Sequence, residues 1–383
     1  MILGRMKSRL VELDGLRGLA VLMVVFGHAQ GSHGAHGYTG WYAPLNLVKD
    51  GEMGVRIFFV LSGFLITSIL MAEYDESGAI NVLDFYKRRI LRIFPAFYTF
   101  LLFVTALTFA GVLHVAGKSL FFASVHLVNY AVAIGLLFGW KDVGDPGYPA
   151  VGHFWTLSLE EQFYWIWPFG LIWILRRKTF VIVPVLLGLI PLSRIASYFL
   201  FPHLRGQLWM MFHSGSDVLL FGCLLAFCFI RRPDWARRLI LSSWAATALI
   251  LFTLFVIPFA EFFLPFPLFH IFWVAADTTV ESVLITLIVA NVLLQPTAWY
   301  ARVLRTRGLV SLGLISYSAY LWQQLFCLPF NTTFTGWFPI NLLCALGAGW
   351  LSHRLIERPF LRAKNKRYSH APSLRQEIQL PES

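Results

Sequence analysis

Charge is what this 383-residue chain has least of: Asp, Glu, Lys and Arg together make up 13% of it. A soluble domain carries about 25%. So few charges cannot cover the surface of a water-soluble protein of this size, which excludes an ordinary cytosolic enzyme. A disordered chain is excluded as well, because it would be poor in apolar residues. Cysteine is sparse too. Cys223, Cys228, Cys327 and Cys344 all fall in apolar segments and form no CxxC pair, so no disulfide framework is expected. They read as buried thiols acting as small hydrophobes. There is no P-loop, no GxSxG or HExxH motif and no Rossmann glycine pattern. There is also no tandem repeat and no Gly/Ser linker. What remains is 57% hydrophobic residues with 14 Trp and 13 Tyr. That describes an all-α integral membrane protein with aromatic belts at the lipid interface.

A helix of about 20 apolar residues crosses a bilayer. Ten such spans are expected, near 13–29, 55–71, 93–113, 155–175, 180–200, 217–230, 239–257, 273–294, 309–330 and 340–355. An eleventh apolar stretch, 120–138, is ambiguous, and basic charge resolves it. If 120–138 does not cross, 23 of the 31 Lys and Arg fall in segments on one side. Only Lys49, Lys118, Lys141 and Arg205 fall in loops on the other. A full crossing would move every later basic cluster outside, against the positive-inside rule. The stretch is therefore expected to be re-entrant or interfacial, and to roof a cavity, because irregular backbone at membrane depth needs protein or a cavity around it. Both termini are placed in the cytoplasm, in a multi-pass protein of the inner membrane. The net charge of +11 is assigned to these anchoring clusters rather than to nucleic acid. The apolar start could also be read as a cleaved signal peptide, but Asp14 and Arg17 interrupt it. The organisation expected is one membrane domain over 9–362 and a polar, disordered cytoplasmic tail over 363–383.

Ionisable residues inside spans are costly and so are functional candidates. The first span carries Asp14, Arg17 and His28. Arg17 and His28 are eleven residues apart, which returns them to within roughly 20° on a helix and about 16 Å apart along its axis. A local Asp14–Arg17 pair with His28 merely ending the helix is the plainer alternative. A second cluster runs from His153 through Trp155, Glu160, Glu161 and Tyr164. Adjacent glutamates point about 100° apart, so at least one should face the protein interior, and Glu160 shares a face with Tyr164. Acidic residues at a helix N-terminus are the structural alternative. The third cluster, Lys87 to Arg92, is either a membrane anchor that binds anionic lipid or, through Arg89 and Arg92, a phosphate clamp. Spacing does not separate the two. His33 and His36 follow the first span, but no acid or Cys completes a ligand set, and no metal is expected.

At these residues the chain resembles the integral-membrane acyltransferase 3 family. Arg17-x10-His28 matches its Arg/Lys-x10-His motif, and Arg89-x-x-Arg92 its Arg-x-x-Arg motif. Gly54 to Ile66, which includes Ser62, is similar to its second-span signature. Trp155 to Tyr164 resembles its Trp-Ser-Leu-x-x-Glu-Glu-Gln-Phe-Tyr segment. Ser316 to Trp322, with Tyr317 and Tyr320, and Glu357-Arg358-Pro359-Phe360 resemble its last two spans. Two departures are visible. Gln323 stands where many members have His, and Gly215 stands two residues before Asp217 where Arg is frequent. Some members carry an extra outer hydrolase-like domain, and none is expected in these residues.

The resemblance implies an O-acyltransferase that takes an acyl group, usually acetyl, from cytoplasmic acyl-CoA. The acceptor would be a hydroxyl of a glycan or another glycosylated or lipid-linked molecule, as in polysaccharide modification. It implies CoA contacts from Arg17, Arg89 and Arg92, and catalytic roles for His28, Glu160 and Glu161. Asp14, Ser62, Trp155, Tyr164, Tyr317 and Tyr320 would support the substrate or the site. Direct transfer and an acyl-His relay both remain open. The alternatives from other classes are a proton-coupled transporter, although no repeated halves are evident, and a structural or lipid-binding subunit. The side assignment has a direct check. Cysteines placed at Lys118 and Lys141 should label from the same, outer face with an impermeant reagent. Labelling from opposite faces would rule out the ten-span arrangement.

Overall fold

The computed structural model describes residues 10–31, 51–139, 148–256, 267–328 and 331–368, with no side-chain description for 267–276. Arg5, Lys7, Arg9, Lys49, Lys141, His33 and His36 lie outside the described residues, as do 329–330 and 369–383. The described residues are helical throughout, with no strand among them. The principal helices are α1 (Val11–Gly31), α2 (Gly51–Ser77), α3 (Val82–Phe109), α4 (Gly117–Ser124), α5 (Ala131–Leu137) and α6 (Phe154–Arg177). They are followed by α7 (Ile182–Leu200), α8 (Asp217–Arg231), α9 (Ser243–Leu251), α10 (Pro267–Leu294), α11 (Arg307–Phe326), α12 (Ile340–Ser352) and α13 (Arg358–Arg367). A helix stands at each of the ten expected spans. Among the described residues, four are long and apolar enough to cross a membrane by length and composition: α2, α3, α7 and the 277–294 part of α10. α1, α6 and α11 are long enough but fall outside that set through the polar residues they carry. α8, with 15 residues, would reach only about 22 Å at 1.5 Å per residue.

The core sits where α1 runs along α11 and α2 along α8. Both pairs approach as closely as helices can because glycine faces backbone. A Cβ on Gly18 would stand 2.0 Å from the Leu309 carbonyl oxygen, and one on Gly63 would stand 1.9 Å from that of Leu219. Small residues at such crossings are the usual device where lipid supplies no hydrophobic drive between helices. α13 runs to Arg367 and packs on α3, so helix continues past the boundary drawn at 363.

Two features position the site. Pro95 stands inside α3, where it removes a backbone donor, and two residues earlier Tyr317 of α11 donates its hydroxyl to the Ile93 carbonyl at 3.0 Å. The apolar stretch 120–138 is broken into α4, a 3-10 turn at Val128–Tyr130 and α5, none of crossing length. Its reversal at His126 (φ 54°) is fastened to α6. Gln162 donates to the His126 carbonyl at 3.0 Å, and Ser158 Oγ accepts from Val128 N at 3.2 Å. The backbone at the break is thus met by side chains of α6.

Candidate active site

Five helix faces enclose a first cavity, the arginine chamber, of about 750 Å³ with its mouth included. α1 contributes Arg17, α2 Ser62, and α3 Arg89 and Arg92. α6 contributes Glu160, Glu161 and Tyr164, and α11 Tyr317 and Tyr320. Three guanidiniums and two carboxylates thus face one another across five helices that are distant in sequence. Glu160 accepts a hydrogen bond from Ser62 Oγ at 2.8 Å. The Arg89 guanidinium lies 4.2 Å from the centre of the Tyr164 ring, a cation–π contact that holds the side chain while leaving its N–H edge for a ligand.

A second cavity, the histidine chamber, encloses about 1250 Å³. His28, near the end of α1, lines it together with His153 and Trp155 at the start of α6. Val128, Asn129 and Val132, from the broken stretch, line it as well, so 120–138 does border a cavity. Trp209 completes an aromatic corner, edge-on to Trp155 at 4.5 Å. His28 Nδ1 faces Gln323 Oε1 at 3.3 Å. An amide oxygen only accepts, so with this amide orientation Nδ1 carries the proton and the Nε2 lone pair is left free.

The two chambers share Val55 and Tyr320 as a common wall. The Tyr320 hydroxyl donates to the His153 carbonyl at 2.8 Å and lies 2.7 Å from Thr156 Oγ1. That triad pins α11 to the start of α6 at the boundary.

The structure separates the expected residues clearly. Arg17, Ser62, Arg89, Arg92, Glu160, Glu161, Tyr164, Tyr317 and Tyr320 come together in the arginine chamber. His28 and Trp155 stand in the other chamber, so Arg17 and His28 share a helix but not a cavity. Glu160 meets Ser62, and His28 meets Gln323. Asp14 lines neither chamber, and its backbone packs against Gly313 of α11. The basic run of α3 also divides. Lys87 makes an exposed pair with Asp84 at 3.7 Å, and buried Arg88 pairs with Glu73 at 2.9 Å. Arg89 and Arg92 turn into the chamber. That distinction was invisible in the spacing, because it depends on where Glu73 of α2 lies. Among the described residues no group of His, Cys, Asp and Glu is arranged to hold a metal.

Sequence reasoning assigned no role to His153, Gln207 or Trp209. The first only opened a motif, and the other two sit in a loop with no pattern. The glycine at 215 has a steric reason, because a Cβ there would stand 2.1 Å from the Trp209 carbonyl oxygen. The guanidinium for Asp217 comes instead from Arg194 of α7, at 2.7 Å with both side chains fully buried. Thr279 Oγ1 donates to the second carboxylate oxygen, also at 2.7 Å.

Comparison with known proteins follows the same residues. A family model described as an acyltransferase domain matches residues 10–352. The chain is similar to the O-acetyltransferase OatA of Staphylococcus aureus strain NCTC 8325, with 26% identity over 94% of this chain and 58% of the relative. OatA of strain COL is similar to the same extent. The chain thus spans less than two thirds of the length of these relatives. No solved structure matches it.

The division of the basic run predicts unequal effects for neighbouring arginines. Arg88→Ala strands Glu73 in a buried site and should cost about 3 kcal/mol, as breaking a buried pair does. It should lower the thermal midpoint of the purified protein. Arg89→Ala removes a guanidinium that faces the cavity and should lower the midpoint less. Thermal scans on both variants check this.

Proposed function

The chain belongs to the acyltransferase 3 family, and from that premise we propose that it is a membrane O-acyltransferase that takes its acyl group, acetyl first among the candidates, from acyl-CoA. The acceptor is a hydroxyl of a cell-envelope glycan or another glycosylated or lipid-linked molecule. The observation that carries this reading is the pair of chambers meeting at Tyr320 and Val55, with arginines on one side and imidazoles on the other. Chemistry of this kind needs a polyanionic carrier and a neutral hydroxyl brought to one point from two directions.

In this reading Arg17, Arg89 and Arg92 hold the CoA phosphates, for which paired guanidinium donors are suited. Glu160 and Glu161 balance those guanidiniums and keep their forks oriented. The pantetheine arm points along α1 toward the wall, and the roughly 16 Å from Arg17 to His28 along a helix axis matches its reach. The acceptor occupies the histidine chamber against Trp155. His28 Nε2 takes the hydroxyl proton as the hydroxyl oxygen attacks the acyl carbon. The C–O bond forms, the C–S bond breaks, and CoA leaves as a thiolate that is then protonated. The Gln323 contact serves a relay equally well, because an acyl-imidazole on His28 would also form at Nε2. We place the arginine chamber on the cytoplasmic side of the inner membrane, with about ten spans over 9–362 and both termini cytoplasmic. The bilayer is then the partner that keeps donor and acceptor apart.

His28→Ala and His28→Gln should insert normally, bind acetyl-CoA as the wild type does, and lose about 10²–10⁴-fold in rate, the usual cost of removing a general base. The assay is acetyl transfer from labelled acetyl-CoA to envelope glycans from a strain lacking the gene. Near wild-type transfer by either purified variant would remove His28 from the chemistry.

A further inference from the structure

The two chambers differ in charge as well as in place. Arg17, Arg89 and Arg92 all line the arginine chamber. Among the described residues that line the histidine chamber there is no Lys or Arg, and Glu52 is the one carboxylate. Glu52 stands in the first turn of α2, where the helix dipole favours negative charge. Its side chain is 51% exposed, whereas that of Arg56, one turn on, is 6% exposed. Arg56 lines neither chamber. Its guanidinium meets Asp277 at 3.0 Å and also Glu281, both on α10, and its contact with Glu52 is the longest of the three at 3.3 Å. Two carboxylates of α10 thus answer the guanidinium, while Glu52 borders the cavity.

The rest of the lining suits a sugar. Trp155 and Trp209 present an aromatic corner, on which the C–H face of a pyranose can pack, and Gln207 brings a side-chain amide for its hydroxyls. A carboxylate accepts hydrogen bonds from hydroxyls and opposes a second anion brought beside it. With no described cation on the lining, an anionic acceptor would enter unmatched, which is costly away from water. We propose that Glu52 is a specificity-determining residue, which accepts hydrogen bonds from an uncharged sugar and excludes acceptors with a carboxylate or phosphate near the reacting hydroxyl. The inference rests on the acyl-transfer reading and adds to it the charge class of the acceptor. Glu52 makes and breaks no covalent bond. Discrimination arises from what it repels as much as from what it holds. The same separation of charge keeps the phosphates of the donor out of the chamber where the hydroxyl reacts.

The test uses saccharides released from envelopes of a strain lacking the gene, split by anion exchange into uncharged and anionic fractions. Each fraction is offered to the purified protein with labelled acetyl-CoA. The wild type should label the uncharged fraction at least tenfold more per mole of saccharide than the anionic one. Glu52→Gln keeps the size of the side chain and removes its charge. It should narrow that ratio at least fivefold while holding acetyl-CoA with a Kd within twofold of wild type. Glu52→Asp keeps the charge and should keep the wild-type ratio. A role confined to steadying Arg56 predicts equal loss on both fractions, and so an unchanged ratio in the Gln variant. That result, or a wild type that labels the anionic fraction at least as well as the uncharged one, would overturn the proposal. If the wild type labels neither fraction, the acyl-transfer reading itself falls, and this inference with it.

Discussion

A bilayer offers no solvation to an ionised side chain, so every charge carried into it must be met by another part of the protein. The rest of this structure depends on that constraint. Arg194 and Asp217 are fully buried and meet each other. Arg56 of α2 is met by Glu52 one turn back and by Asp277 and Glu281 of α10. Arg17, Arg89 and Arg92 differ from these in place: with Glu160 and Glu161 they line an open cavity. Closed pairs hold helices together, whereas an enclosed cluster around a cavity is ready to receive a charged ligand.

The same constraint shapes the irregular parts of the chain. The broken stretch between α3 and α6 reverses at His126, and Ser158 and Gln162 of α6 bind the polar backbone of that turn. The polar groups that fasten the break therefore come from the helix that also supplies Glu160, Glu161 and Tyr164. α6 thus positions both chambers, and its first residues meet Tyr320 at the wall between them.

Much of this was legible in the sequence. The apolar runs gave the helices, because in lipid a spanning segment must satisfy its backbone within itself. The basic clusters identified 120–138 as the segment that does not behave like the rest, and the structure breaks it into short helices. Arg17, Arg89, Arg92, Glu160 and Glu161 stood out because charge in an apolar chain is conspicuous. The partition of these residues between two cavities was not legible, since it depends on the crossing of α1 with α11 and on the wall at Tyr320. Nor was the separation of Arg88 from Arg89, which depends on a glutamate on another helix. Gln323 was visible as a departure from the family pattern, but its partner was not, because the contact with His28 joins α11 to α1 across 295 residues.

The central claim is that one chamber holds the donor and the other performs the transfer, with Tyr320 at the boundary. Cryo-electron microscopy of the protein with a non-transferable thioether analogue of acetyl-CoA tests it most directly. The account predicts phosphate density among Arg17, Arg89 and Arg92, and the acyl end at Tyr320 pointing toward His28. Phosphates seated in the histidine chamber, or an acyl end directed away from Tyr320, would contradict it.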